Sequence, residues 1–212
     1  VRELDQIVAV LLDMDGTLVD SDAAVERAWA TWAREYGVDP VAALENVHNG
    51  PAERTVLRLL PHADATLVDT AARRNLVLQY EDLGDVVAAP GAAQLVDALD
   101  RWHVPWAVVT SADTTLAVAR LRVAGIEPPV LVTADDVASG KPDPEGYLLA
   151  ARRLRVDPSH CLVVEDSKPG LAAGRAAGAM TASLRGLAAD VPLLDLTQLV
   201  TLLGQTSSRR AG

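Results

Sequence analysis

Apolar and polar positions fall into blocks of different period. The run Ile7-Val8-Ala9-Val10-Leu11-Leu12 is apolar throughout and reads as a strand buried on both faces. A helical period then takes over. Val25, Ala28, Trp29, Trp32 and Tyr36 recur every three or four residues, with Ser21 as a candidate N-cap and Gly37 as the stop. Trp29 and Trp32 read as packing between helices. Asp39-Pro40 breaks the pattern. Short helices are predicted over about 41–47 and 51–60, and a longer one over 64–81.

From about 86 onward, strands and helices alternate. Pro90-Gly91 opens a helix to about Trp102, and Val104–Val109 reads as a strand leading into Thr110-Ser111. A helix over about 114–124 stops at Gly125 and is followed by a strand at Val130–Thr133. Next come a helix at 144–154, a strand at His160–Val164, a helix to about 177 and a strand near 179–184. Thr197 is a candidate cap for a last helix to Leu203, and the polar tail Gln205–Gly212 is expected to fray. Such alternation predicts an α/β fold with a parallel sheet covered on both faces. The helical block 20–85 then reads as a cap inserted into a core made of 1–19 and 86–212, with hinges near Val19–Ser21 and Asp82–Pro90.

Composition narrows the function. A net charge of −10 argues against nucleic acid or an anionic membrane as partner. Cys161 is the only cysteine, so no intrachain disulfide can form, which fits a reducing cytoplasm. The sequence has no signal-peptide pattern and no membrane-spanning run. A cytoplasmic monomer acting on a small molecule is the expectation.

The polar residues that matter follow the predicted strands, where open α/β sheets bind ligands. Asp13 and Asp15 follow the first strand, and Gly16 allows a sharp turn. Two carboxylates placed so closely repel each other unless a cation sits between them. The cluster suits a carboxylate nucleophile, a second carboxylate for proton transfer, and Mg2+. Thr110-Ser111 offers a hydroxyl and the amides opening a helix, both suited to a phosphate oxygen; the plainer reading is that Ser111 caps that helix. Lys141 stands between Gly140 and Pro142, and Glu165-Asp166 ends a later strand.

These stations, in this order, resemble the motifs of the haloacid dehalogenase superfamily. Asp13-Met14-Asp15-Gly16-Thr17 is similar to its first motif, with Met14 where Phe or Leu is common. Val108-Val109-Thr110-Ser111 is similar to the second, Gly140-Lys141-Pro142 to the third and Val163-Val164-Glu165-Asp166 to the fourth. The resemblance implies a Rossmann-like core with an inserted helical cap. It implies that Asp13 attacks phosphorus and that Asp15 is the acid and base. Mg2+ is then held by Asp13, the Asp15 carbonyl and Asp166, while Glu165 binds directly, binds through water, or tunes the site. Thr110, Ser111 and Lys141 hold the phosphoryl group.

The nearest resemblance is to sugar and polyol phosphatases, with β-phosphoglucomutase a cousin. On that resemblance, His48-Asn49-Gly50 matches a substrate-facing cap loop, with His48 equally readable as structural. Arg54 follows Gly50 by four residues rather than the mutase's three. The expected function is Mg2+-dependent hydrolysis of a small phosphorylated metabolite. A phosphomutase and a non-catalytic phospho-metabolite binder are the alternatives.

Overall fold

The first apolar run forms strand β1, Ala9–Leu12, fully buried along its length. The computed structural model describes residues 4–45 and 52–210, the last five by backbone alone. After β1 the chain turns at Gly16, whose φ of +79° is a left-handed value that favours glycine. It enters β2, Val19–Asp20, and then four helices: α1 Asp22–Glu35, α2 Pro40–Leu44, α3 Ala52–Leu59 and α4 Ala65–Glu81. It returns through β3, Val87–Ala88. The strands β2 and β3 pair antiparallel, with Val19 opposite Ala88.

The remainder alternates as predicted. It runs α5 Ala92–Arg101, β4 Trp106–Val109, α6 Thr114–Val123, β5 Leu131–Val132, α7 Glu145–Leu154 and β6 Cys161–Glu165. It closes with α8 Lys168–Ala176, β7 Met180–Ser183, β8 Val191–Pro192 and α9 Leu196–Arg210. Six strands form one sheet in the order β5-β4-β1-β6-β7-β8, and every pairing in it is parallel.

Burial on both faces explains the unbroken apolar runs. Val10 and Leu12 pack with Leu95, Leu99, Leu121 and Leu199 on one side of the sheet. Ala9 and Leu11 pack with Tyr147, Ala150 and Ala173 on the other. The helices between β2 and β3 hold a separate apolar cluster around Trp29, Trp32, Val56, Val68 and Ala71. Trp32 is fully buried there, and its indole N–H donates to the Ala71 carbonyl at 2.8 Å. The tryptophans pack between helices, as their spacing suggested.

Several local expectations change. Ser21 precedes α1 but makes no side-chain cap; its hydroxyl donates to Asp15 instead, at 2.7 Å. Asp195 takes the capping role expected of Thr197, accepting from the Thr197 hydroxyl and the Gln198 amide. The tail does not fray at Gln205. α9 continues across Gly204, where an added Cβ would sit 3.4 Å from the Trp102 ring, and reaches Arg210. The two-residue strands β2, β3 and β8 carry too little periodicity to be foreseen. No described helix is long and apolar enough to cross a membrane.

Candidate active site

Three parallel strands deliver one ammonium group to its partners. Asp13 follows β1 directly, and its amide donates to the Val164 carbonyl of β6 at 3.0 Å. Lys141 Nζ, from the loop before α7, lies 2.5 Å from Asp13 Oδ1 and 2.6 Å from Glu165 Oε1. It also donates to the Val109 carbonyl, the last residue of β4, at 3.0 Å. Burial works to lower the Lys141 pKa, but the Asp13 and Glu165 carboxylates outweigh it and hold the ammonium above its ordinary range.

Glu165 is the fully buried last residue of β6. Its Oε1 also accepts from the Tyr147 hydroxyl at 2.7 Å. Its Oε2 accepts from the Ser167 hydroxyl at 2.8 Å and, more weakly, the Ser167 amide at 3.3 Å. Ser167 caps α8 at the same time, accepting from the Gly170 amide at 3.1 Å. Both carboxylate oxygens of Glu165 are thus engaged by the protein.

One carboxylate oxygen each from Asp13, Glu165 and Asp166 lies within 4.8 Å of the others. Burial and then Glu165 push the Asp13 carboxyl well above its usual range, against the pull of Lys141. Burial and Glu165 likewise push Asp166 up to about 6. Arg185 reaches Asp166 Oδ2 at 2.9 Å and Asp22 Oδ2 at 2.8 Å, which offsets part of that charge. The carboxyls stay raised even so: the site is short of positive charge and offers hard oxygen donors. That donor set fits Mg2+.

Asp15 stands apart from this cluster. Its Oδ1 accepts from Ser21 at 2.7 Å and from Arg120 Nη1 at 2.8 Å. The expected repulsion between Asp13 and Asp15 is therefore met by two separate protein cations, Lys141 for one and Arg120 for the other. Gly16 makes room for the motif: a Cβ there would stand 2.0 Å from Asp166 Oδ2.

Thr110 follows β4 and is 6% exposed, and its hydroxyl accepts from the Ala112 amide at 3.1 Å. Ser111 is exposed and does not cap α6. Asp113 does, taking the Leu116 amide, while Asp135 takes the Thr114 amide. The Thr114 and Leu116 amides of α6 are thus engaged by acids. Arg54 is exposed on α3. His48 and Gly50 lie outside the described residues.

The structure adds residues that sequence reasoning passed over: Tyr147, Arg120, Gln79, Arg185 and Gly170. Only Gly170 carried a local signal, a glycine in the first turn of a helix just after the acidic pair.

Sequence comparison agrees with the geometry. The profile of the haloacid dehalogenase-like hydrolases matches residues 7–178. Hexitol phosphatase A of Escherichia coli K12 is 38% identical over 191 residues, covering 90% of this chain and 88% of that protein. The 2-deoxyglucose-6-phosphate phosphatase 1 of Saccharomyces cerevisiae is 33% identical over 217 residues, covering 89% and 88%. Among solved structures, CbbY from Rhodobacter sphaeroides in complex with phosphate aligns with a TM-score of 0.79 at 26% identity, covering 93% of this chain and 99% of that one. This chain belongs to the haloacid dehalogenase-like hydrolases and is a phosphatase of that family.

Proposed function

We propose that the enzyme hydrolyses small sugar or polyol monophosphates through a phosphoryl group carried on Asp13. The observation that carries this reading is Lys141 clamped between Asp13 and Glu165 at 2.5 and 2.6 Å, beside the acidic cluster. The substrate class is drawn from the named relatives, a hexitol phosphatase and a deoxyglucose-phosphate phosphatase.

A carboxylate oxygen of Asp13 attacks phosphorus as the ester P–O bond breaks. Asp15 gives its proton to the departing alkoxide. Asp15 then takes a proton from the water that attacks the aspartyl phosphate, and inorganic phosphate leaves. Lys141, Thr110 and Ser111 hold the phosphoryl oxygens, so catalysis is mostly positioning and charge neutralisation. Asp13, Asp166 and the Asp15 carbonyl would hold Mg2+, with Glu165 as the anchor that orients Lys141. Bound there, Mg2+ supplies the positive charge that the raised Asp13 and Asp166 carboxyls lack. Residues 20–85 serve as a cap that keeps bulk water from the leaving group, over a core of 1–19 and 86–212.

The test is a panel of hexose, hexitol and polyol phosphates with wild type and Asp13→Asn. Phosphate release by wild type and none by a folded Asp13→Asn protein is expected, with a phosphorylated wild-type chain trapped by rapid quench. Wild-type turnover by Asp13→Asn would sink the mechanism. Conversion of β-glucose 1-phosphate to glucose 6-phosphate with little free phosphate would make the enzyme a mutase.

A further inference from the structure

Arg120 is the one buried arginine among the described residues, 2% exposed in the middle of α6. A guanidinium keeps its charge at any working pH, so burying one is expensive unless its donors are met. Nη1 donates to Asp15 Oδ1 at 2.8 Å, and Nη2 donates to Gln79 Oε1 at 2.9 Å. Nε has no partner among the described residues. The fold tolerates that orphan donor.

The two partners belong to different parts of the chain. Asp15 sits on the motif loop after β1, and Gln79 on α4 of the helical insert. Gln79 is fixed in turn, its Nε2 donating to Oδ1 of the fully buried Asn75 at 2.6 Å. A polar chain thus runs from the interior of the insert, through Gln79 and Arg120, to the carboxylate read as acid and base. Ser21, just before the first helix of the insert, donates to the same oxygen of Asp15.

A buried guanidinium needs a counter-charge, and Asp15 of the motif loop supplies it. Here the only ion pair of Arg120 among the described residues is with Asp15. Both side-chain hydrogen bonds to Asp15 among the described residues fall on Oδ1. Oδ2 accepts no hydrogen bond from the described residues and is free to face the substrate.

We propose that Arg120 is a positioning residue for proton transfer by Asp15, and that Gln79 makes this positioning depend on the seating of the helical insert. The proposal rests on the acid–base reading of Asp15. Arg120 and Ser21 pin Oδ1, which fixes the carboxyl plane. The proton on Oδ2 then passes to the leaving alkoxide oxygen as the P–O bond breaks, and returns from the attacking water in the second step. When the insert is seated, Gln79 holds the guanidinium on Asp15. An insert that is not seated leaves the guanidinium, and with it the acid, less well placed.

The experiment compares leaving groups. Wild type, Asp15→Asn, Arg120→Met, Arg120→Lys, Gln79→Leu and the Arg120→Met/Asp15→Asn double variant are assayed on p-nitrophenyl phosphate and on the alkyl phosphate that wild type turns over fastest. An aryl oxide leaves without a proton; an alkoxide needs one. Arg120→Met is expected to lose about 100-fold in kcat on the alkyl ester, within the range of general acid catalysis, and only about threefold on the aryl ester. The double variant should be no slower on the alkyl ester than Asp15→Asn alone. Arg120→Lys, which keeps the charge but cannot span both partners, should recover part of the loss. Gln79→Leu should show a selective alkyl loss of about three- to tenfold, and it carries the test if Arg120→Met does not fold. Equal losses on both esters in the Arg120 and Gln79 variants, or additive losses in the double variant, would overturn the proposal. If Asp15→Asn itself loses equally on both esters, it is the acid–base reading that fails.

Discussion

A Cβ on Gly170 would stand 1.8 Å from Oε1 of Glu165. The glutamate cannot step aside, because Lys141, Tyr147 and Ser167 hold both of its oxygens. Gly170→Ala should therefore displace Glu165 and, through it, Lys141. Overpacking of this kind costs about 1–3 kcal/mol, and a misplaced clamp costs about 100-fold in rate. Thermal melting and steady-state kinetics check both. Gly84→Ala is the control, since nothing lies within 4 Å of that position. A Gly170→Ala enzyme with normal kcat would show that Glu165 does not set the lysine.

Asp166 gives the metal-free protein a pH-dependent weakness. Burial and Glu165 raise its carboxyl from 3.8 to about 6 in the folded chain. The fold thus favours the neutral acid. Stability from this group is full below pH 4 and is lost as pH rises through about 6. Asp166→Asn mimics the neutral form. In EDTA its melting temperature should match wild type near pH 4 and exceed it above pH 6, by the equivalent of about 1–3 kcal/mol. A difference that stays flat across that range would contradict the assignment.

The same deficit of charge governs metal addition. Mg2+ should raise the wild-type melting temperature and restore activity after chelation, and Asp166→Asn should lose both responses. Ca2+ should raise the melting temperature but not restore turnover, since it takes more ligands at longer distances. Full activity after exhaustive chelation would count against a metal at Asp13 and Asp166.

Arg185 competes for the same carboxylate. Its Nε lies 2.9 Å from Asp166 Oδ2, and the pair is partly exposed. Removing that charge with Arg185→Gln should tighten Mg2+ binding about two- to fivefold, in line with the modest worth of such pairs. Titration of Mg2+ against melting temperature measures it without reference to turnover. Weaker binding in the variant would mean that Arg185 helps to build the site.

What could be read from sequence was local. Asp13 and Asp166 are recognisable because each follows a strand, and the sheet brings such ends together, while Lys141 stands out between Gly140 and Pro142. Arg120 was invisible for the opposite reason. In Ala119-Arg120-Leu121-Arg122 it looks like any basic helix residue, and its partners, Asp15 and Gln79, lie far away along the chain. Tyr147 is a buried helix aromatic until Glu165 is seen beside it. Ser21 had two local partners open to it, a helix amide and Asp15. The carboxylate won, as charge-assisted bonds tend to. Asp195 and Thr197 lie two residues apart, and sequence cannot say which faces the helix end.

The separate ribbon of β2 and β3 sets Val19 beside Ala88, so the chain enters and leaves the helical segment at nearly one point. A segment with adjacent ends can be lengthened, shortened or replaced without re-routing the strands that Asp13 and Asp166 follow. The same adjacency makes the segment a natural unit for exchange: on the proposed reading of residues 20–85 as a cap, a chimera joined at Val19 and Ala88 should keep the core's reaction and take on the donor's choice of alcohol.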